Sequence, residues 1–179
     1  MENTLPPVGG RGLPERAPLE LVLSKICARA RLPQLRAGWG RRGERVVFTN
    51  GCFDIVHRGH VEYLAQARAL GAVLVVGLNS DASVRRLKGP ARPLQDEGTR
   101  AMVLASLLFV SHVVLFDEDT PHALVRELQP DVLVKGADYR PEDIAGYDVV
   151  VARGGSVVTI PLVAGYSTSG VAAKMQAVR

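Results

Sequence analysis

Cysteine is scarce in this chain: Cys27 and Cys52 are the whole complement in 179 residues, far apart and with no CxxC. That excludes a disulfide framework and a cysteine-rich zinc module. Aromatic residues make up only 5% of the chain, a poor supply of the stacking surfaces that nucleic-acid modules use. No apolar run approaches the roughly 20 residues of a membrane-spanning helix. The start, MENTLPP, has no basic stretch leading into an apolar one, so neither a secretory signal nor a membrane partner is expected. No GxGxxG follows the first strand-like segment, which argues against an NAD-dependent dehydrogenase. These absences make the cytoplasm the expected address. What is present, 47% hydrophobic and 22% charged residues, suits one globular domain with a substantial core.

The net charge of +4 is unevenly placed. Residues 1–45 hold nine Lys/Arg against four Asp/Glu, and the rest hold 13 against 14. A basic leader on a neutral body is weak evidence for a polyanion partner, and no nucleic acid is expected. Lysine is rare beside arginine, four to 18. Lys88, Lys135 and Lys174 fall in segments that look chemical on other grounds.

Residues 1–18 are rich in proline and glycine and read as a flexible leader. Apolar spacing over 19–39 predicts one or two short helices, interrupted near Pro33, and the main domain is expected over 45–179. Strands are predicted at 45–50, 72–77, 112–116, 131–135, 147–152 and 156–160, with helices at 59–70, 97–109, 121–128 and after 169. The run AVLVVG at 72–77 has the unbroken apolar character of a strand buried on both faces. Strands alternating with helices imply an α/β, Rossmann-like single domain, a parallel sheet with helices on both faces. In such a sheet, ligands sit beyond the carboxyl ends of the strands. The polar, glycine-rich connections after the predicted strands are therefore the candidate site.

The densest of these is Gly51-Cys52-Phe53-Asp54-Ile55-Val56-His57-Arg58-Gly59-His60. Two imidazoles three residues apart flank a helix N-terminus, where free N–H groups and the dipole favour anions, and Gly59 between them allows a phosphate close to the backbone. A phosphate clamp is one reading. A zinc face made by Asp54, His57 and His60 is a second, and a helix start whose histidines cap and pack is a third.

The GxFDxxHxGH segment resembles the nucleotidyltransferase superfamily marked by HxGH in its first strand-to-helix loop. NSDASVRRLKGP at 79–90, Arg92-Pro93, FDEDTP at 116–121, PDVLVKGADY at 130–139 and Ser167-Thr168-Ser169 follow in order. The set is similar to the adenylyltransferases that convert D-glycero-β-D-manno-heptose 1-phosphate to ADP-heptose, over roughly residues 23–178. The resemblance implies transfer of AMP from ATP, accompanied by Mg²⁺, to a sugar 1-phosphate with loss of pyrophosphate. It implies catalytic roles for His57, His60 and Lys88, and nucleotide contacts from Thr49, Asn50, Gly51, Cys52, Phe53 and Gly59. Lys135, Gly136, Asp138 and Tyr139 would meet base and ribose, and Ser167, Thr168 and Ser169 the distal phosphates, with Lys174 in support.

Asp54, Asn79, Asp81, Arg92 and Glu118 are candidate contacts to the sugar phosphate. Some have a second reading: Asp54 as the orienter of the histidine loop or a Mg²⁺ contact through water, Asp81 as a helix cap, and Arg92 as an aid to Lys88, while Glu118, Asp119 and Thr120 either bind the substrate sugar or only cap the next helix. Arg100 is expected to form an ion pair, and His112 and His122 to be structural. Ala137 stands where relatives often carry glycine, which would strain a left-handed backbone there. Relatives often fuse this domain to a sugar kinase, so a separate heptose kinase is expected to supply the substrate, and a homodimer is a family-based expectation. Two alternatives remain at this point: a cytidylyltransferase acting on a small alcohol phosphate such as glycerol 3-phosphate, and a nucleotide-binding regulator without turnover.

Overall fold

In the computed structural model, residues 17–137, 140–161, 165–166 and 170 are described. Five strands, β1 (Val46–Gly51), β2 (Val73–Asn79), β3 (His112–Phe116), β4 (Val132–Gly136) and β5 (Ser156–Ile160), pair in the order β3-β2-β1-β4-β5. Every pairing is parallel. The seven α-helices of the described residues are α1 (Pro18–Lys25), α2 (Leu32–Arg41), α3 (Arg58–Arg68), α4 (Asp81–Lys88), α5 (Glu97–Ser106), α6 (His122–Leu128) and α7 (Tyr147–Val151).

Side-chain alternation along the strands divides the core in two. Val47, Leu74, Val76 and Leu78 face one way, onto Leu64 and Ala67 of α3 and Ala101 and Leu104 of α5. Val46, Phe48, Val73 and Val75 face the other, onto Leu32 and Trp39 of α2, Leu124 and Leu128 of α6 and Val150 of α7. All of β2 is buried, as its unbroken apolar run requires when both sheet faces are covered.

One predicted strand is a helix. Residues 147–152, read as extended from the β-branched run Val149-Val150-Val151, are instead α7 (Tyr147–Val151) and its C-cap Ala152. A strand there, linked to β5 by so short a turn, would have to lie antiparallel, whereas β5 runs parallel to β4 and needs a crossover between them. α7 supplies it, with Val150 fully buried. The turn into α7 is made by Gly146 at φ +98°, where a Cβ would also meet Val125 at 2.8 Å. Tertiary demand overrides local propensity here.

The N-terminal segment differs in detail too. Pro33 does not interrupt a helix but sits in the first turn of α2, where a missing N–H costs nothing. The break lies earlier, where Ile26 pairs with Val113 as a parallel bridge beside β3. The Cys27 amide donates to the Val113 carbonyl at 3.0 Å. A helix does start at Asp81, α4 over 81–88, but Ser80 caps it by accepting from the Ser83 amide. Asp81 is therefore its first residue and not its cap.

Candidate active site

The strand order reverses between β1 and β4, since β2 and β3 lie to one side of β1 and β4 and β5 to the other. Both neighbours leave a gap between their outgoing loops there, the position where parallel α/β sheets bind ligands. A cavity of about 470 Å³ occupies it, within the usual range for small-molecule sites. Of the predicted residues, Asn50, Gly51, Cys52, Asn79, Lys88 and Lys135 line it. Lys135 reaches from β4 to β1, donating to Asn50 Oδ1 at 3.1 Å and to the Asn50 carbonyl at 3.3 Å. Lys88, the last residue of α4, is exposed and carries no ion pair among the described residues. One cation is thus engaged in closing the switch point, and the other is free for a ligand.

The loop after β1 then turns into α3. Phe53 takes φ +43°, an uncommon conformation for a side chain of that bulk. Asp54, almost wholly buried, accepts from the Leu94 and Gln95 amides at 2.7 and 3.1 Å and pairs with Arg92 at 2.7 Å. So Asp54 ties the histidine loop to the loop that follows Lys88, and Arg92 points to Asp54. His57 is the N-cap residue of α3, with His60 one turn on. Their rings stack at 3.8 Å between centroids and 18° between planes, and the Phe53 ring meets His60 edge-on at 5.1 Å. Gly59 lies close against the pair: a Cβ on it would stand 3.2 Å from the His57 ring and from Tyr166 Cβ, tighter than ordinary contact.

This geometry fixes the charge of the pair. Burial, then the adjacent imidazole, lowers the His60 pKa to about 4, with the Ile55 backbone opposing and the Lys88 charge adding to the drop. Burial lowers that of His57 as well. Both rings are neutral at pH 7, and each brings one N–H donor without repelling its partner. Their Nδ1 atoms are buried and lack partners among the described residues. Lys88 lines the cavity, and neither histidine does. The zinc face does not form among the described residues: no three His, Cys, Asp or Glu side chains are grouped to hold a metal, and Asp54 is turned to Arg92.

Other predicted residues serve the frame. Thr49 is fully buried, its hydroxyl 2.7 Å from that of Tyr63, so it joins β1 to α3 and does not reach the cavity. Asn79 donates to Ser83 Oγ at 3.0 Å while lining the cavity floor. Asp81 binds Arg100, a wholly buried guanidinium that also donates to the Cys52 and Gln95 carbonyls. Arg100 thus holds the β1 loop to α4, in keeping with its expected ion pair. Glu118 pairs with Arg29 at 2.6 Å, and α6 has no side-chain cap, so the capping alternative for 118–120 does not hold. His112 packs on Trp39, and His122 pairs with Asp148 at 3.0 Å. Gly136 ends β4, and Ala137 donates to the Ile160 carbonyl at 2.9 Å. Positive φ outside glycine is confined, among the described residues, to Phe53 and Gln129, so Ala137 carries no such strain. Asp138, Tyr139, Ser167, Thr168, Ser169 and Lys174 lie outside the described residues.

The cavity also has walls that the sequence reading passed over: Leu87, Asp143, Ile144 and Ala145. The signal was available in the position of 140–145, a polar segment leaving the carboxyl end of β4 beside the switch point.

The sequence pattern of the cytidylyltransferase-like family matches residues 48–170, more than two thirds of the chain. The chain belongs to the cytidylyltransferase-like family. It is 61% identical over 138 residues to the bifunctional protein HldE of Azorhizobium caulinodans, covering 77% of this chain and 29% of that protein. To the bifunctional protein HldE of Syntrophotalea carbinolica it is 56% identical over 148 residues, 83% of this chain and 30% of the relative. The chain therefore spans about 30% of the length of these relatives. Among solved structures, the lipopolysaccharide core biosynthesis protein of Thermoplasma volcanium aligns with a TM-score of 0.54 at 29% identity, over 68% of this chain and 98% of that one. Within this cytidylyltransferase-like frame, the described residues contain no helix long and apolar enough to cross a membrane.

Proposed function

We propose that the chain is a nucleotidyltransferase that transfers AMP from ATP to D-glycero-β-D-manno-heptose 1-phosphate, giving ADP-heptose and pyrophosphate. The observation that carries this reading is Lys88, without an ion pair among the described residues, at a switch-point cavity, together with two neutral, stacked imidazoles at the N-terminus of α3. The identity to two HldE proteins and the likeness to a lipopolysaccharide core biosynthesis protein support the choice of sugar.

A phosphate monoester is mostly ionised at neutral pH, with a second pKa of about 6. The nucleophile therefore needs no general base. Its oxygen bonds to the α-phosphorus of ATP while the bond from that phosphorus to the bridging oxygen breaks, and pyrophosphate leaves with the electron pair. What the protein must supply is alignment and charge stabilisation. In this proposal His57 and His60 donate N–H groups to the triphosphate together with the amides of α3. Lys88, at the end of α4, moves with the charge between the two phosphates. The Asn50–Cys52 backbone and Lys135 bound the nucleotide side.

Among the described residues no three His, Cys, Asp or Glu side chains are grouped to hold a metal, and Asp54 is spent on Arg92 and two amides. These residues do not form a Mg²⁺ site of their own, so Mg²⁺ enters the proposal as part of the MgATP substrate. The same reading proposes cytoplasmic action and a homodimer.

Pyrophosphate release by the purified chain tests it, with ATP and CTP each crossed against heptose 1-phosphates and glycerol 3-phosphate. Release confined to ATP with the β-anomer is the expected result. Release with CTP and glycerol 3-phosphate, or nucleotide binding without turnover on any acceptor, would overturn it.

A further inference from the structure

One wall of the cavity is held from outside the family region. Asp119, Thr120 and Pro121, in the connection from β3 to α6, line the cavity. Their neighbour Glu118 is gripped by Arg29, which lies before α2 and well ahead of the family match at 48–170. Arg29 makes three charged bonds: Nη1 to Glu118 at 2.6 Å, and Nε and Nη2 to the two oxygens of Glu127 at 2.8 Å each. A planar guanidinium can span the loop and the end of α6 in this way; an ammonium cannot. The segment bearing Arg29 is itself fastened, since Ile26 and Cys27 pair with Val113 at the sheet edge.

On its other side the loop is tied to α4. Ser83 donates to the Glu118 carbonyl at 3.2 Å, and Arg86 pairs with Asp119 at 2.9 Å and bonds the Asp117 carbonyl. Arg29 thus completes a two-sided brace on a short acidic stretch.

That stretch lines the cavity with Asp119, whose carboxylate is shared with Arg86, and with Thr120, polar groups of the kind that pair with sugar hydroxyls. We infer that Arg29 is a positioning residue for the sugar-binding wall of the cavity, so that the segment before the family region sets the affinity for the sugar phosphate. This rests on the sugar-phosphate acceptor proposed above.

The test compares the full chain with Arg29→Ala, Arg29→Lys and, as a control ion pair at the opposite end of the sheet, Arg36→Ala. Initial rates would give KM for heptose 1-phosphate and for ATP, and amide hydrogen exchange would be followed in the 116–121 peptide. In Arg29→Ala the expected result is a roughly tenfold rise in the KM for the sugar phosphate, with kcat and the KM for ATP within about twofold, and faster exchange in 116–121. Arg29→Lys should recover only part of the loss, and Arg36→Ala should leave both KM values in place. An unchanged sugar-phosphate KM in a folded Arg29→Ala protein, or an equal rise in both KM values, would overturn the inference. If the unaltered chain turns over no acceptor, the proposed function fails by itself. The exchange comparison then decides the brace alone, and unchanged exchange would end it.

Discussion

The two ends of the sheet each carry a hollow of similar size, and they differ in what their charges are doing. At the amino end a cavity of about 500 Å³ is lined by Arg36, Arg45, Arg153, Glu44 and Asp131. There Arg36 binds Asp131 at 2.8 Å and the Gln129 carbonyl at 3.0 Å, and Asp131 also accepts from the Val46 amide at 2.7 Å. Arg153 donates to Gln129, Arg45 to Ser156, and Glu44 is paired with Arg42. The charges stitch the starts of β1, β4 and β5 together. At the carboxyl end Lys88 has no counter-ion and two imidazole nitrogens have no partner among the described residues. Volume does not separate a binding site from a structural hollow; unspent hydrogen-bonding and charge capacity does.

The sharpest way to break that contrast is to remove the unspent cation. Lys88→Met should lower kcat by about 100-fold or more, the scale on which loss of a single transition-state charge contact acts. ATP binding, followed by calorimetry, should change by less than about tenfold. The variant should melt with the unaltered chain, because Lys88 is exposed at the end of α4 and has no ion pair among the described residues. A stability loss without a rate loss would put Lys88 in the same class as the arginines at the other end.

The histidine pair gives the next largest effect, read through pH. Its folded pKa values lie below the usual 6.5, about 4 for His60. Between those limits the unfolded chain binds more protons, so stability rises with pH and is lost as pH falls from about 6.5 toward 4. For His60 the loss approaches about 3 kcal/mol. His60→Gln should flatten the urea midpoint across that window. An anionic triphosphate would favour the charged rings, so ATP binding near pH 6 should take up protons, measurable as a heat that depends on buffer ionisation. Binding with no proton uptake would show that the rings stay neutral under the phosphate.

At the opposite end, Asp131→Ala should cost stability and little else. It strands the Val46 amide and frees Arg36, each partly buried, a loss of about 2 kcal/mol in denaturant titration. Both KM values should hold within about twofold. A marked KM change would connect the two hollows and undo the comparison.

Much of this was legible beforehand for a physical reason. The buried strands announce themselves as apolar runs, and residues at their carboxyl ends must sit at one edge of a parallel sheet. Hence Asn50, Asn79 and Lys135 could be placed around one site from their positions at strand ends, whereas Lys88, at the end of α4, is assigned to it by the family resemblance. Residues 147–152 could not, because Val-Val-Val favours a strand locally and only the parallel register of β5 forces a crossover. Nor could the partners of Asp54, Asp81 and Glu118. A carboxylate at a strand end looks the same in sequence whether it meets a ligand or an arginine distant along the chain, and here Arg92, Arg100 and Arg29 claim them.

The smallest expected effect is the finest test of the carboxyl end. In Gly59→Ala the new methyl would stand 3.2 Å from the His57 ring and from Tyr166 Cβ, tighter than ordinary contact but short of a hard clash. Helix propensity favours alanine by about 1 kcal/mol, so the protein should melt no lower than before. The methyl would still tilt His57 off its 3.8 Å stack and stand between a phosphate and the first-turn amides of α3. ATP affinity should then fall by about fivefold while stability holds or rises. That opposition distinguishes a glycine kept for ligand approach from one kept for packing, because a packing glycine would lose stability and leave affinity alone.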